Sequence, residues 1–165
     1  MVCNILCCMN IYEETKMIMK KYGLNFKKKF GQNFLTSEEI LEEIIEKAEI
    51  SKDDIVLEIG PGIGTLTAKL LEKEAEVISV ELDQELIIPL RDRFFMYDNF
   101  TIISSDILKI DIYNEISNIM KKKGIDIEKK KICIVSNSLI YYKNTKEWED
   151  LVKTAEIYFN NAEGQ

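Results

Sequence analysis

Two rhythms of apolar residues alternate along this chain, and their alternation predicts its elements. Short aliphatic runs such as Ile55-Val-Leu, Val77-Ile-Ser-Val80 and Ile132-Cys-Ile-Val135 read as strands. Between them, apolar residues recur at helical spacing. Asn10 is placed to cap a first helix, whose Ile11, Met17, Ile18 and Tyr22 give an apolar side before Gly23 ends it. Residues 24–35 read as loop. Thr36 and Glu39 make a capping box ahead of Ile40, Leu41, Ile44, Ile45 and Ala48. Strands are then expected at 55–59, 76–81, 100–104 and 131–136, with helices at 65–73, 83–96, 111–123 and 145–159. Pro89 should kink the 83–96 helix or delay its start. The last helix would set Trp148, Leu151, Val152, Ala155 and Phe159 on one side.

Strand–helix alternation gives an α/β fold, a parallel sheet with helices on both faces. Without repeats or a Pro/Ser-rich linker, residues 10–165 read as one domain behind a disordered extension at 1–9, with Met9 an alternative start. In such sheets ligands bind outside the carboxyl ends of the strands, where strand order reverses. The residues expected there are Glu58, Gly60, Gly62, Gly64, Glu81, Asp106 and Asn137. Asp106 and Asn137 suit ordinary turns equally well.

Charge divides the chain unevenly. Net charge is −7, yet residues 1–35 hold six Lys and two Glu, so that segment is +4 and the rest −11. Lys27, Lys28 and Lys29 lie between Phe26 and Phe30, a mixture that suits a phosphate backbone with stacked bases, or simply a solvated loop. Cys3, Cys7 and Cys8 crowd the start, but with no histidine and no second cysteine pair a metal site is not expected. No apolar run nears membrane-spanning length and no secretory leader is evident, so a reducing, cytoplasmic setting is expected.

The segment with most chemistry is Glu58-Ile-Gly-Pro-Gly-Ile-Gly64, followed by Glu81 about 20 residues on, the spacing of a nucleotide-binding βαβ unit. Glycines allow positive φ in a tight turn and let backbone approach a ligand closely. The helix that follows aims backbone N–H groups at an anion. An acid at the next strand tip can take two ribose hydroxyls. The dinucleotide fingerprint would need glycine at Thr65, so a nicotinamide enzyme is not the natural owner. A glycine turn without ligand is the plain alternative.

Taken together, Phe30-Gly-Gln-Asn-Phe-Leu35, Leu57-Glu-Ile-Gly-Pro-Gly-Ile-Gly-Thr-Leu-Thr67, Val80-Glu-Leu-Asp83 and Ser105-Asp106 resemble the ribosomal RNA adenine dimethyltransferase family, in its bacterial small-subunit branch. The resemblance is strong over residues 10–112, weak near 130–142 and absent beyond. It implies a Rossmann-like class I methyltransferase fold that uses S-adenosylmethionine to methylate two adjacent adenines near the 3′ end of small-subunit rRNA. By position, Asn33 and Leu35 would cover the cofactor's methionine part, Gly60 and Gly62 would let backbone lie against it, and Glu81 would bind its ribose. Asp106 would bind its adenine amine, and Glu58 would favour the positive sulfonium. Lys27, Lys28 and Lys29 would grip RNA. Asn137 would both border the cofactor and accept the target amine's hydrogens, and Tyr141 (or Tyr142) would stack on the flipped-out base. No metal is implied.

The match breaks at Val135-Ser-Asn-Ser-Leu-Ile-Tyr-Tyr142, where one residue is inserted and Ile140 stands in place of the family's proline. An ångström of displacement there costs roughly a hundredfold in rate. The resemblance also implies seven strands in the order 3-2-1-4-5-7-6 and a small helical domain. A chain of 165 residues would supply about four strands and lack that domain. Strand four would then be an exposed edge, with Ile132, Ile134 and Val135 facing water or pairing with another copy. Three readings follow: a dimethyltransferase acting on the small ribosomal subunit, a catalytically inactive cofactor-binding remnant, or a small-molecule methyltransferase. The basic segment argues against the third.

Overall fold

A computed structural model of the chain describes residues 10–24 and 37–136. In chain order these form α1 (Ile11–Tyr22), α2 (Glu38–Lys47), β1 (Ile55–Ile59), α3 (Thr65–Glu72) and β2 (Glu76–Glu81). Then come α4 (Gln84–Phe94), β3 (Phe100–Ser104), α5 (Ile112–Lys123) and β4 (Ile132–Ser136). The expected extension at 1–9, the basic segment and the Trp148 helix lie outside the described residues.

The described strands make one parallel sheet in the order β3-β2-β1-β4. These are the first four places of the expected order, and the fold is Rossmann-like. The chain steps outward from β1 through β2 to β3, then returns to β4 on the other side of β1. Strand order therefore reverses at β1, and in sheets of this kind ligands bind outside the carboxyl end of the strand where that happens.

Side chains along each strand alternate between two cores. Val56, Val77 and Val135 pack with Leu41, Leu66, Leu70, Leu90 and Phe94 beneath α2, α3 and α4, where Ile11 and Ile18 of α1 also rest. Ile55, Leu57, Ile59, Ile78 and Val80 pack with Ile116 and Met120 of α5. Each such side chain taken out of water contributes about 1.5–3 kcal/mol before entropy is counted. The faces of β4 are covered too. Val135 is buried and Ile132 and Ile134 are half-buried, so Val135 does not face water as the edge argument expected. An edge strand exposes backbone along one side, whereas the helices decide what its faces meet.

Local signals set the helix ends. The Asn10 side chain accepts the Glu13 N–H at 2.9 Å, and Gly23 closes α1 with φ +63°. The cap of α2 is Ser37, whose hydroxyl faces the Ile40 N–H, so the helix starts one residue later than the Thr36 capping box would place it. Asp83 caps α4 through the Glu85 N–H at 3.1 Å. That cap fixes the start of α4 at Gln84, upstream of Pro89, which is carried inside the helix. Burial of Leu86, Ile87, Leu90 and Phe94 offsets the rung that proline removes.

Candidate functional site

From Ile59 the chain turns through Gly60-Pro61-Gly62-Ile63-Gly64 into α3. Gly60, Gly62 and Gly64 take φ +69°, +64° and +86°, the left-handed region that other residues enter only with strain. The Gly60 N–H donates to the Val80 carbonyl at 2.9 Å and the Gly64 N–H to the Pro61 carbonyl at 3.0 Å, so the turn is tied to β2 and to itself. At Gly64 space matters as much as angle: a Cβ there would lie 2.4 Å from the Phe94 ring. The N-cap of α3 is Gly64, and no side chain among the described residues makes a cap bond there, so the first N–H groups of α3 are not taken up by a cap.

Glu81 ends β2 beside this turn. Its Oε2 accepts the Gly62 N–H at 3.1 Å and its Oε1 the Asp83 N–H at 2.8 Å. Burial, with repulsion from Asp83, raises its pKa above the usual carboxylate range, and the backbone N–H groups of Asp83, Gly62 and Leu82 pull the other way. An ionised carboxylate has about four lone-pair positions, so these bonds leave acceptor capacity for a ligand. Past β3, the Ser105 N–H donates to the Glu81 carbonyl at 3.0 Å. Asp106 follows and caps a short helical turn, its Oδ1 accepting the Leu108 N–H at 3.1 Å while its Oδ2 lies 3.4 Å from Lys109. Turn-forming is thus one role of Asp106, and it leaves acceptor capacity on the second oxygen. Gly60, Gly62, Glu81 and Asp106 come together as expected, at the carboxyl ends of β1, β2 and β3.

Glu58 does not join them at the rim. It lies one residue inside the end of β1, on the face that carries Val56, and is wholly buried beneath α3. Its Oε2 accepts the Thr67 hydroxyl at 2.6 Å and the Ser79 hydroxyl at 2.8 Å, while its Oε1 has no partner among the described residues. Desolvation pushes its pKa from an ordinary 4.5 to about 7, against the pull of the two hydroxyls, and repulsion from Glu81 adds to the rise. Burial thus works against the negative charge that the sulfonium expectation asked of Glu58. Asn33, Leu35, Lys27, Lys28, Lys29, Asn137 and Tyr141 lie outside the described residues.

Sequence reasoning missed the supports of the turn. Arg93 of α4 donates from Nη1 to the Ile63 carbonyl at 2.9 Å and from Nη2 to Glu14 Oε1 at 2.6 Å. The partners stand 30 and 79 residues away, so no local spacing reveals them. Thr67 and Ser79 were equally silent.

Comparison with known proteins places the chain in context. A family model described as ribosomal RNA adenine dimethylase matches residues 23–154. The ribosomal RNA small subunit methyltransferase A of Clostridium botulinum (strain Langeland) is 50% identical over 131 residues, covering 79% of this chain and 44% of that protein. The protein of the same name from Clostridium acetobutylicum is 45% identical over 131 residues, with the same 79% and 44% coverage. Among solved structures, a dimethyladenosine transferase from Plasmodium falciparum is 38% identical, with 47% of this chain and 29% of that one covered and a TM-score of 0.44. The chain spans less than half the length of the curated relatives it matches.

Proposed function

The chain belongs to the ribosomal RNA adenine dimethylase family, and on that premise we propose that its glycine turn and acidic strand tips hold S-adenosylmethionine. One arrangement carries the reading: a turn with three glycines at positive φ, bonded through the Gly62 N–H to a buried acid on the next strand. The residues suit such a guest. Glycines at 60 and 62 admit close backbone contact, Glu81 keeps acceptor positions that match paired ribose hydroxyls, and Asp106 keeps a carboxylate oxygen for an exocyclic amine. Asn33 and Leu35 would cover the methionine end. When bound, the cofactor supplies an electrophilic methyl group.

The methyl acceptor we propose is the exocyclic amine of two adjacent adenines near the 3′ end of small-subunit rRNA, which sets the work in the cytoplasm. Lys27, Lys28 and Lys29 would hold the phosphate backbone electrostatically. Adenine's amine is a weak nucleophile because its lone pair spreads into the ring. Asn137 and a nearby backbone carbonyl would accept its two hydrogens and favour a pyramidal nitrogen, with Tyr141 stacked on the extruded base.

A second reading, cofactor binding without transfer, is favoured by the extra residue and Ile140 in the 135–142 stretch. One experiment separates the two. The chain is titrated calorimetrically with S-adenosylmethionine, then incubated with under-methylated small ribosomal subunits and labelled cofactor. Binding with label transfer supports the enzyme, binding without transfer the remnant, and absence of binding defeats both.

A further inference from the structure

Two consecutive residues at the end of α4 touch two consecutive residues of the glycine turn. Arg93 donates to the Ile63 carbonyl, and the Phe94 ring fills the space where a side chain at 64 would stand. Phe94 is buried, and the Arg93 guanidinium lies 5.2 Å from its ring centroid, so the pair forms one packed unit. The other arm of Arg93 bonds Glu14 at 2.6 Å, with side chains 17% and 26% exposed. Glu14 is itself set in place, because its N–H donates to the carbonyl of the α1 cap residue Asn10 at 3.1 Å. A second link between the same helices runs from the Tyr22 hydroxyl to Asp92 at 2.8 Å.

The peptide joining Ile63 to Gly64 is thereby held at both ends. Its carbonyl accepts from Arg93, and its N–H donates to the Pro61 carbonyl. A peptide unit is planar, so fixing both groups fixes the plane and opposes its rotation by half a turn. Glycine-rich turns need that restraint, since glycine accepts either sign of φ at little cost. The plane also sets the direction in which α3 starts and its first N–H groups point.

We propose that Arg93, aimed by Glu14 of the N-terminal helix, is a positioning residue that locks the Ile63–Gly64 peptide in the orientation the cofactor turn requires. Helix α1 is on this account part of the cofactor machinery although it lies outside the sheet. The ligand arm of the test rests on the S-adenosylmethionine reading above; the geometric arm does not.

The test uses the full chain, isotopically labelled, with Arg93→Met and the charge exchange E14R/R93E. Only seven glycines are present, so the amide resonances of Gly60, Gly62 and Gly64 can be assigned and followed without ligand. Arg93→Met should move these three resonances and weaken S-adenosylmethionine binding about 10- to 100-fold, the worth of a charged hydrogen bond. The exchanged pair restores the ion pair but puts an acceptor opposite the Ile63 carbonyl. It should therefore regain at most part of the urea midpoint lost in Arg93→Met while binding stays weak. Should Arg93→Met fail to fold, Glu14→Gln is read in its place, with the same resonances moving and affinity falling a few-fold. Unmoved turn glycines in a folded variant, or full binding by the exchanged pair, overturn the inference. A parent chain that binds no cofactor while these glycines still move in the variant overturns the cofactor reading and leaves the strut standing.

Discussion

Glu58 is an ionisable group held without solvent, and replacing it with glutamine has a consequence that can be worked through in advance. Its pKa is raised from 4.5 to about 7 in the folded chain. Between those values the native state holds a proton that the unfolded state has released. Stability from this group is therefore complete below pH 4.5 and is lost as pH rises through about 7. At about 1.4 kcal/mol per pH unit, the gap amounts to about 3 kcal/mol. Glu58→Gln removes the titration but puts an amide N–H₂ where Oε1 has no partner, at a cost of about 1–3 kcal/mol. The variant should thus be less stable than the parent near pH 5 and overtake it above neutrality. Relief of repulsion on Glu81 acts in the same direction. Urea unfolding of both chains, followed by fluorescence of the native aromatics from about pH 4.5 to 8.5, measures the difference. Curves that stay parallel across that range would refute the burial argument, whatever their separation.

Three further outcomes are expected. Gly64→Ala should lower the urea midpoint, with about 1–2 kcal/mol from forcing alanine to φ +86° and about 1–3 kcal/mol from overlap with Phe94. Glu81→Gln can keep only one of the two backbone N–H bonds, because its NH2 must face the other donor; it should cost about 1–3 kcal/mol by the urea midpoint and weaken S-adenosylmethionine binding at least tenfold by calorimetry. Met120→Ala, at a fully buried site between α5 and the sheet, should cost about 2–5 kcal/mol of stability without changing cofactor affinity in the folded fraction.

Most of the fold was readable because its signals are local. The aliphatic runs at 55, 77 and 132 stay continuous since each of those strands is covered on both faces, and Gly23 and Asp83 end or start helices by their own chemistry. The small errors arose where two local options competed, as with neighbouring hydroxyls at 36 and 37. Pro89 was outweighed by the cap before it and the burial around it. At the site, the glycines and Glu81 were legible from spacing alone. The direction of Glu58 was legible too, had the two-residue period of β1 been followed: with Leu57 and Ile59 facing α5, Glu58 must face α3. Arg93 was beyond reach, because its value comes from partners that only the folded chain brings near.

The bond from the Gly62 N–H to Glu81 ties the glycine turn to β2 through groups of the chain itself. Exchange of that amide with deuterated solvent should accordingly be slow in the parent chain and faster once Glu81 is replaced by alanine, which makes the acid a clasp on the turn as well as a group offered to a guest.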